Sequence, residues 1–117
     1  MVPVILGMKV SDLNLHISKN KNVLIYVDGE LLHRNDAKIS VFDSGFMMGD
    51  GIWEGLRLSN NQWLFLDEHL ERLFEGAKAI DLEIGLTIDE LVDALEKTKS
   101  ANNMTTNAHA RLMVTRG

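Results

Sequence analysis

The chain has 117 residues, with 12 basic and 17 acidic side chains and a formal charge of -5. That length supports one domain with a single modest core. The acidic balance, without any Lys/Arg-rich block, speaks against a nucleic-acid surface. The absence of cysteine excludes a disulfide framework and a thiolate metal site and makes the cytoplasm the default compartment.

The apolar start MVPVILGM is too short to span a bilayer. It also lacks the basic n-region and small-residue cleavage site of a signal peptide, so no membrane association is expected. Residues 1–22 form a lead-in in which Met8, Val10, Leu13, Leu15 and Ile17 keep no helical period. An arm on a partner, a short strand and a disordered end all fit it. From Val23, VLIYV is a buried-strand run, and Asp28-Gly29 is a strong hairpin signal. Glu30 to His33 reads as the returning strand, and Lys38 to Phe42 alternates again. Ile52 to Leu58 predicts a further strand, Ser59 to Gln62 a turn, and Trp63 to Leu66 its partner.

Two helices follow. Asp67 is the expected N-cap of the first, whose apolar face is Leu70, Leu73, Phe74, Ala77 and Ile80. Gly85 lies in the break. Thr87 to Glu90 is a capping box, followed by a stripe of Ile88, Leu91, Val92 and Leu95. Lys97 and Lys99 suit the helix C-terminus, and Asn102-Asn103 closes it. Ala108 to Val114 is the last strand. The expected fold is α+β, an antiparallel sheet with two helices on one face. The other face must meet a partner or water.

The run Gly45 to Arg57, GFMMGDGIWEGLR, holds four glycines. Glycine weakens regular structure, so something must approach this backbone closely. No Gly-Lys-Ser/Thr follows, so it is not a P-loop. Trp53, Gly55 and Arg57 alternate and share one strand face. They form either a pocket wall or, for Trp53, ordinary core packing. His69 and Arg72 are neighbours on the first helix. Arg72 is suited to grip an oxyanion such as phosphate, or else pairs with Glu68 or Glu75. His109, Arg111 and Met113 share a face of the last strand, either solvated or an anion site. The four histidines have no metal-ligand spacing, so no metal site is expected.

Four segments in order, IYVDGE, FDSGFMMGDGIWEGLR, FLDEHLERLFEGAKAI and ARLMVTRG, resemble the N-terminal half of the fold type IV pyridoxal-phosphate enzymes. That family includes branched-chain aminotransferases, D-amino-acid aminotransferases and aminodeoxychorismate lyases. The resemblance covers about Ile25 to Gly117. It implies pyridoxal 5′-phosphate as cofactor, with Arg72 of the HLERL motif on its phosphate and His69 close behind. It implies that Trp53, Gly55 and Arg57 line the substrate pocket, Trp53 replacing the usual Phe or Tyr. Arg111 matches the arginine of a Tyr-x-Arg motif that receives the glutamate side-chain carboxylate, with His109 at the Tyr position.

The resemblance further implies an amino acid and a 2-oxo acid as substrates and a homodimer as the working unit. WEGLR favours branched-chain or similar hydrophobic amino acids with 2-oxoglutarate. A lyase, a D-amino-acid transaminase and a stand-alone anion-binding module are the alternatives. The Schiff-base lysine and the acid facing the pyridine nitrogen belong to a C-terminal domain, expected beyond residue 117. Residues 23–117 are thus expected to be the small N-terminal domain, inactive alone and exposing an apolar patch.

Overall fold

A computed structural model describes residues 2–9 and 19–117. The described strands are β1 (Val2–Lys9), β2 (Leu24–Val27), β3 (Glu30–His33), β4 (Gly51–Ser59), β5 (Gln62–Trp63) and β6 (Ala108–Thr115). The helices are α1 (Ser44–Met48), α2 (Leu66–Ala79) and α3 (Ile88–Ala101). The strands form one sheet in the order β3-β2-β1-β6-β4-β5, and every pairing is antiparallel.

Two hairpin turns set the register. Asp28 and Gly29 both take positive φ (48° and 94°), as do Asn60 and Asn61 (50° and 62°). This is the mirror-image turn whose twist matches that of the flanking strands. The pair β1 and β6 is aligned over its full length, from Val2↔Thr115 to Lys9↔Ala108. The lead-in therefore supplies a strand inside the sheet, between β2 and β6. Val10, Leu13, Leu15 and Ile17 lie outside the described residues.

Alternation on the central strands sorts the two faces. Ile5, Leu56, Ala110, Leu112 and Val114 are fully buried on the helix side. They pack with Leu70, Leu73 and Ala77 of α2 and Leu91, Ala94 and Leu95 of α3 in one cluster. The α3 start follows its capping box: Glu90 N donates to Thr87 Oγ1 at 3.1 Å. Lys99 stands in the last turn of α3, as expected, and is also buried; it pairs with Glu96 at 2.6 Å and reaches Asn61 O at 3.3 Å.

Four local expectations are corrected. Residues 38–42 form no strand. Phe42 N bonds to Ser40 Oγ and Asp43 N to Ser40 O, a turn that leaves Ile39, Val41 and Phe42 exposed. Only Gln62 and Trp63 pair back on β4, because α2 already begins at Leu66. Its N-cap is Phe65, left-handed with φ 55° and without a side-chain cap bond, so Asp67 sits in the first turn. There its charge still complements the helix dipole. Ile80 and Ile88, placed on apolar stripes, are at helix ends and exposed.

The glycine run contains a helix, α1, that the sequence reading does not foresee. Asp43 caps it through Gly45 N at 2.8 Å and also accepts from Thr115 Oγ1 at 2.8 Å. Gly49 ends it in the left-handed region at φ 69°, where a side chain is strained. A side chain at Gly45 would collide with Thr115. The close approach inferred from these glycines is thus partly the chain's own β6.

Candidate active site

The alternation of β4 divides the sequence-predicted residues between the two faces of the sheet. Ile52, Glu54, Leu56 and Leu58 point toward α2; Trp53, Gly55 and Arg57 point away. Glu54 is 4% exposed, a charge where the neighbouring inward positions are apolar. Two α2 side chains meet it. Arg72 donates through Nε to Glu54 Oε1 at 2.6 Å and through an Nη to Oε2 at 2.7 Å. His69 Nδ1 lies 2.7 Å from Oε2, a donor position opposite a carboxylate.

This bidentate clamp holds the Glu54 carboxyl below the usual carboxylate range. His69 adds to the shift, and burial works against it. Arg72 is held above its ordinary value by the same hydrogen bonds. The Arg72 side chain is 70% exposed, with Nε and one Nη fixed on Glu54 and the other Nη without a hydrogen-bond partner among the described residues. A guanidinium oriented this way can take a phosphate oxygen without first losing its rotamer freedom.

Neither Glu68 nor Glu75 is the partner of Arg72. The carboxylate comes from β4, and the signal for it is present in the sequence. In GIWEGLRLS, Glu54 takes the inward phase between Ile52 and Leu56. A buried carboxylate requires a cation or several donors, and HLERL supplies both His69 and Arg72.

The opposite face carries the second group. On β6, His109, Arg111 and Met113 are half-buried and share the face of Trp53 and Arg57. The β6 side chains lean diagonally across β4. The Arg111 guanidinium lies 3.8 Å from the centroid of the Trp53 ring, a cation–π contact. The His109 ring lies over Gly55, its Cε1 and Nε2 3.0 and 3.1 Å from where a Cβ would stand. The gap at Gly55 is therefore occupied by an imidazole of the chain itself. Burial first, then Arg111 and Arg57, push the His109 pKa down. Among the described residues neither Arg57 nor Arg111 is paired with a carboxylate.

The two groups share an edge. Beyond β6, β4 is paired only at Leu58 and Ser59, so Gly51 to Leu56 form an open strand edge among the described residues. A ligand lying along it can meet Arg72 from one face and Trp53 from the other. A separate cleft of about 730 Å³, lined by Phe74, Lys78, Leu82, Ile84 and Glu90, contains no residue of either group. Among the described residues no three acidic or histidine side chains cluster as metal ligands. No helix there is long and apolar enough to cross a membrane.

This geometry accompanies a clear kinship. The amino-transferase class IV family matches residues 51–117, a span that includes Glu54, Arg72 and Arg111. The chain belongs to that family. It is 41% identical over 104 residues to branched-chain-amino-acid aminotransferase-like protein 1 of Arabidopsis thaliana, covering 89% of this chain and 19% of that protein. It is 34% identical over 93 residues to the D-alanine aminotransferase of Staphylococcus haemolyticus, covering 80% and 33%. A solved structure, the PLP-bound form of a hypothetical aminotransferase from Mycobacterium tuberculosis, superposes with a TM-score of 0.67. It shares 28% identity and covers 77% of this chain and 32% of that one. The chain spans about a fifth to a third of the length of the curated relatives it matches.

Proposed function

We propose that this chain is the phosphate-holding and side-chain-binding part of a pyridoxal-phosphate-dependent aminotransferase. Its substrates are branched-chain or similar hydrophobic amino acids, with 2-oxoglutarate as amino acceptor. The observation that carries the reading is the Arg72 guanidinium, clamped on one edge by buried Glu54 and exposed on the other. That donor set fits a phosphate, and His69 stands behind it on the same carboxylate. When bound, the cofactor supplies the electron sink and carries the amino group between the two substrates.

The chain's own residues do the binding and orienting. Arg72 fixes the phosphate end. Trp53 offers an apolar wall for the substrate side chain, while Arg57 and Arg111 offer charge for a carboxylate. Gly55 leaves the strand low enough for the His109 ring. The lysine that carries the cofactor, and the acid facing its ring nitrogen, come from residues outside this chain in this reading, so residues 1–117 alone transfer no amino group. Exposed Phe42, Phe46, Met47 and Met48 are apolar surface suited to cover by the rest of the protein or by a second subunit. We take the working form to be a homodimer in which residues 23–117, together with the β1 strand of the lead-in, make the small domain.

The D-alanine aminotransferase relatives favour a second reading, a transaminase of D-amino acids. One assay separates the two. The full-length protein is offered L-leucine, L-valine or D-alanine with 2-oxoglutarate, and the enantiomer of the glutamate formed is measured. Transfer from the L-amino acids supports the first reading and transfer from D-alanine the second. No transfer from any of them contradicts both.

A further inference from the structure

His109 occupies an unusual place. Its direct cross-strand neighbour on β4 is Arg57, and Arg111 follows two residues on along the same face of β6. Its ring fills the space above Gly55. On its other side β1 brings Met8 into register, a residue that does not titrate. Among the described residues, the charged groups that bear on the imidazole are Arg57 from β4 and Arg111 from β6, both cations. The Arg111 guanidinium is steadied against Trp53, and Arg57 is exposed.

We propose that His109 is a specificity-determining residue: held over Gly55 between two arginines, it decides whether the open face accepts an apolar side chain or a carboxylate-bearing one. This rests on the reading that the open face receives the substrate. A neutral imidazole presents a flat, largely apolar surface continuous with Trp53, over which a hydrocarbon side chain packs. A protonated imidazole adds a third donor between Arg57 and Arg111. Three cations close together repel, and an arriving carboxylate removes that repulsion while accepting from all of them.

Burial and the two arginines keep His109 neutral to lower pH than an ordinary histidine. A bound carboxylate favours the charged form, so by linkage its affinity rises as pH falls and the ring takes up a proton. The affinity of an apolar acid lacks this gain.

The test uses the full-length protein and two probes, glutarate and 4-methylpentanoate. Their dissociation constants are measured by calorimetry from about pH 8 to about pH 5, the range in which histidine titrates. The expected result is a shift of about tenfold in favour of glutarate across that range, equal to a change of one pKa unit on binding. His109→Phe should flatten this ratio and thereby subtract any titration of glutarate itself. His109→Lys, permanently charged, should favour glutarate throughout.

A flat ratio in the parent protein, or an unchanged slope in the folded His109→Phe or His109→Lys variant, overturns the role of His109. Arg111→Gln tests the reading beneath it. If that change leaves glutarate affinity untouched at every pH, or if neither probe binds the parent protein, the open face is not the substrate site and the inference falls with it.

Discussion

The two faces of the sheet are built from the same alternating strands but treat charge in opposite ways. On the helix face Glu54 is buried and satisfied within the chain, by Arg72 and His69. On the open face Arg57, Arg111 and His109 stand together without a carboxylate among the described residues. A buried charge must be paired for the fold to form. The half-buried Arg111 and exposed Arg57 of the open face are under less of that requirement, because solvent reaches and screens them. The helix face is therefore organised by folding, and the open face is left available for binding.

The sharpest way to break this comparison is to cut each face in turn and compare stability. Leu112→Ala, on the helix face and fully buried, should cost about 3 kcal/mol, the usual penalty for a buried large-to-small change. Denaturant unfolding measures it. Glu54→Ala should cost about 2 kcal/mol, since it removes hydrogen bonds to charged groups at a buried site.

Glu54 also predicts a pH signature. Its carboxyl titrates below the ordinary range when folded, so its stabilisation is complete above that range. It fades as pH falls through the depressed value. The stability gap between the parent protein and Glu54→Gln should close on acidification. A gap that widens there would contradict the pairing.

On the open face, Gly55→Ala places a methyl group against the His109 ring. It should cost about 1 kcal/mol, the low end for added bulk at a tight contact, and weaken the pH dependence of glutarate binding. Trp53→Ala should be the mildest for stability, within about 0.5 kcal/mol, as is usual for exposed sites. Trp53 is 57% exposed. A Trp53→Ala loss as large as that of Leu112→Ala would mean that the open face is part of the core.

Much of the fold is legible in the sequence because its signals are local. The Asp28-Gly29 turn, the Asn60-Asn61 turn and the Thr87 cap each depend on a few adjacent residues. The start of α2 is not legible, for the opposite reason. Asp67 is a good cap by type, but Phe65 takes the left-handed conformation and the chain turns earlier. Helix α1 was missed because GFMMG is short and glycine-flanked, and its cap is completed by Thr115, distant in sequence.

The site shows the same division. Arg72 and His69 were visible as neighbours on one helix face. Their shared partner lay on another element, and finding it required reading Glu54 as an inward position of β4. The occupant of the Gly55 gap could not be read from spacing. It depends on which way His109 leans across the β4–β6 register.

In the proposed function Arg72, oriented by Glu54, holds the phosphate of the cofactor. The most direct measurement titrates the full-length protein and its Arg72→Gln variant with pyridoxal 5′-phosphate and with pyridoxal, following absorbance. The variant should lose about 10- to 100-fold in affinity for the phosphorylated compound, the range of a charge-assisted hydrogen bond. Its affinity for pyridoxal should be unchanged. Equal affinity of both proteins for pyridoxal 5′-phosphate would contradict the claim and leave the Glu54–Arg72 pair a structural tie between α2 and β4.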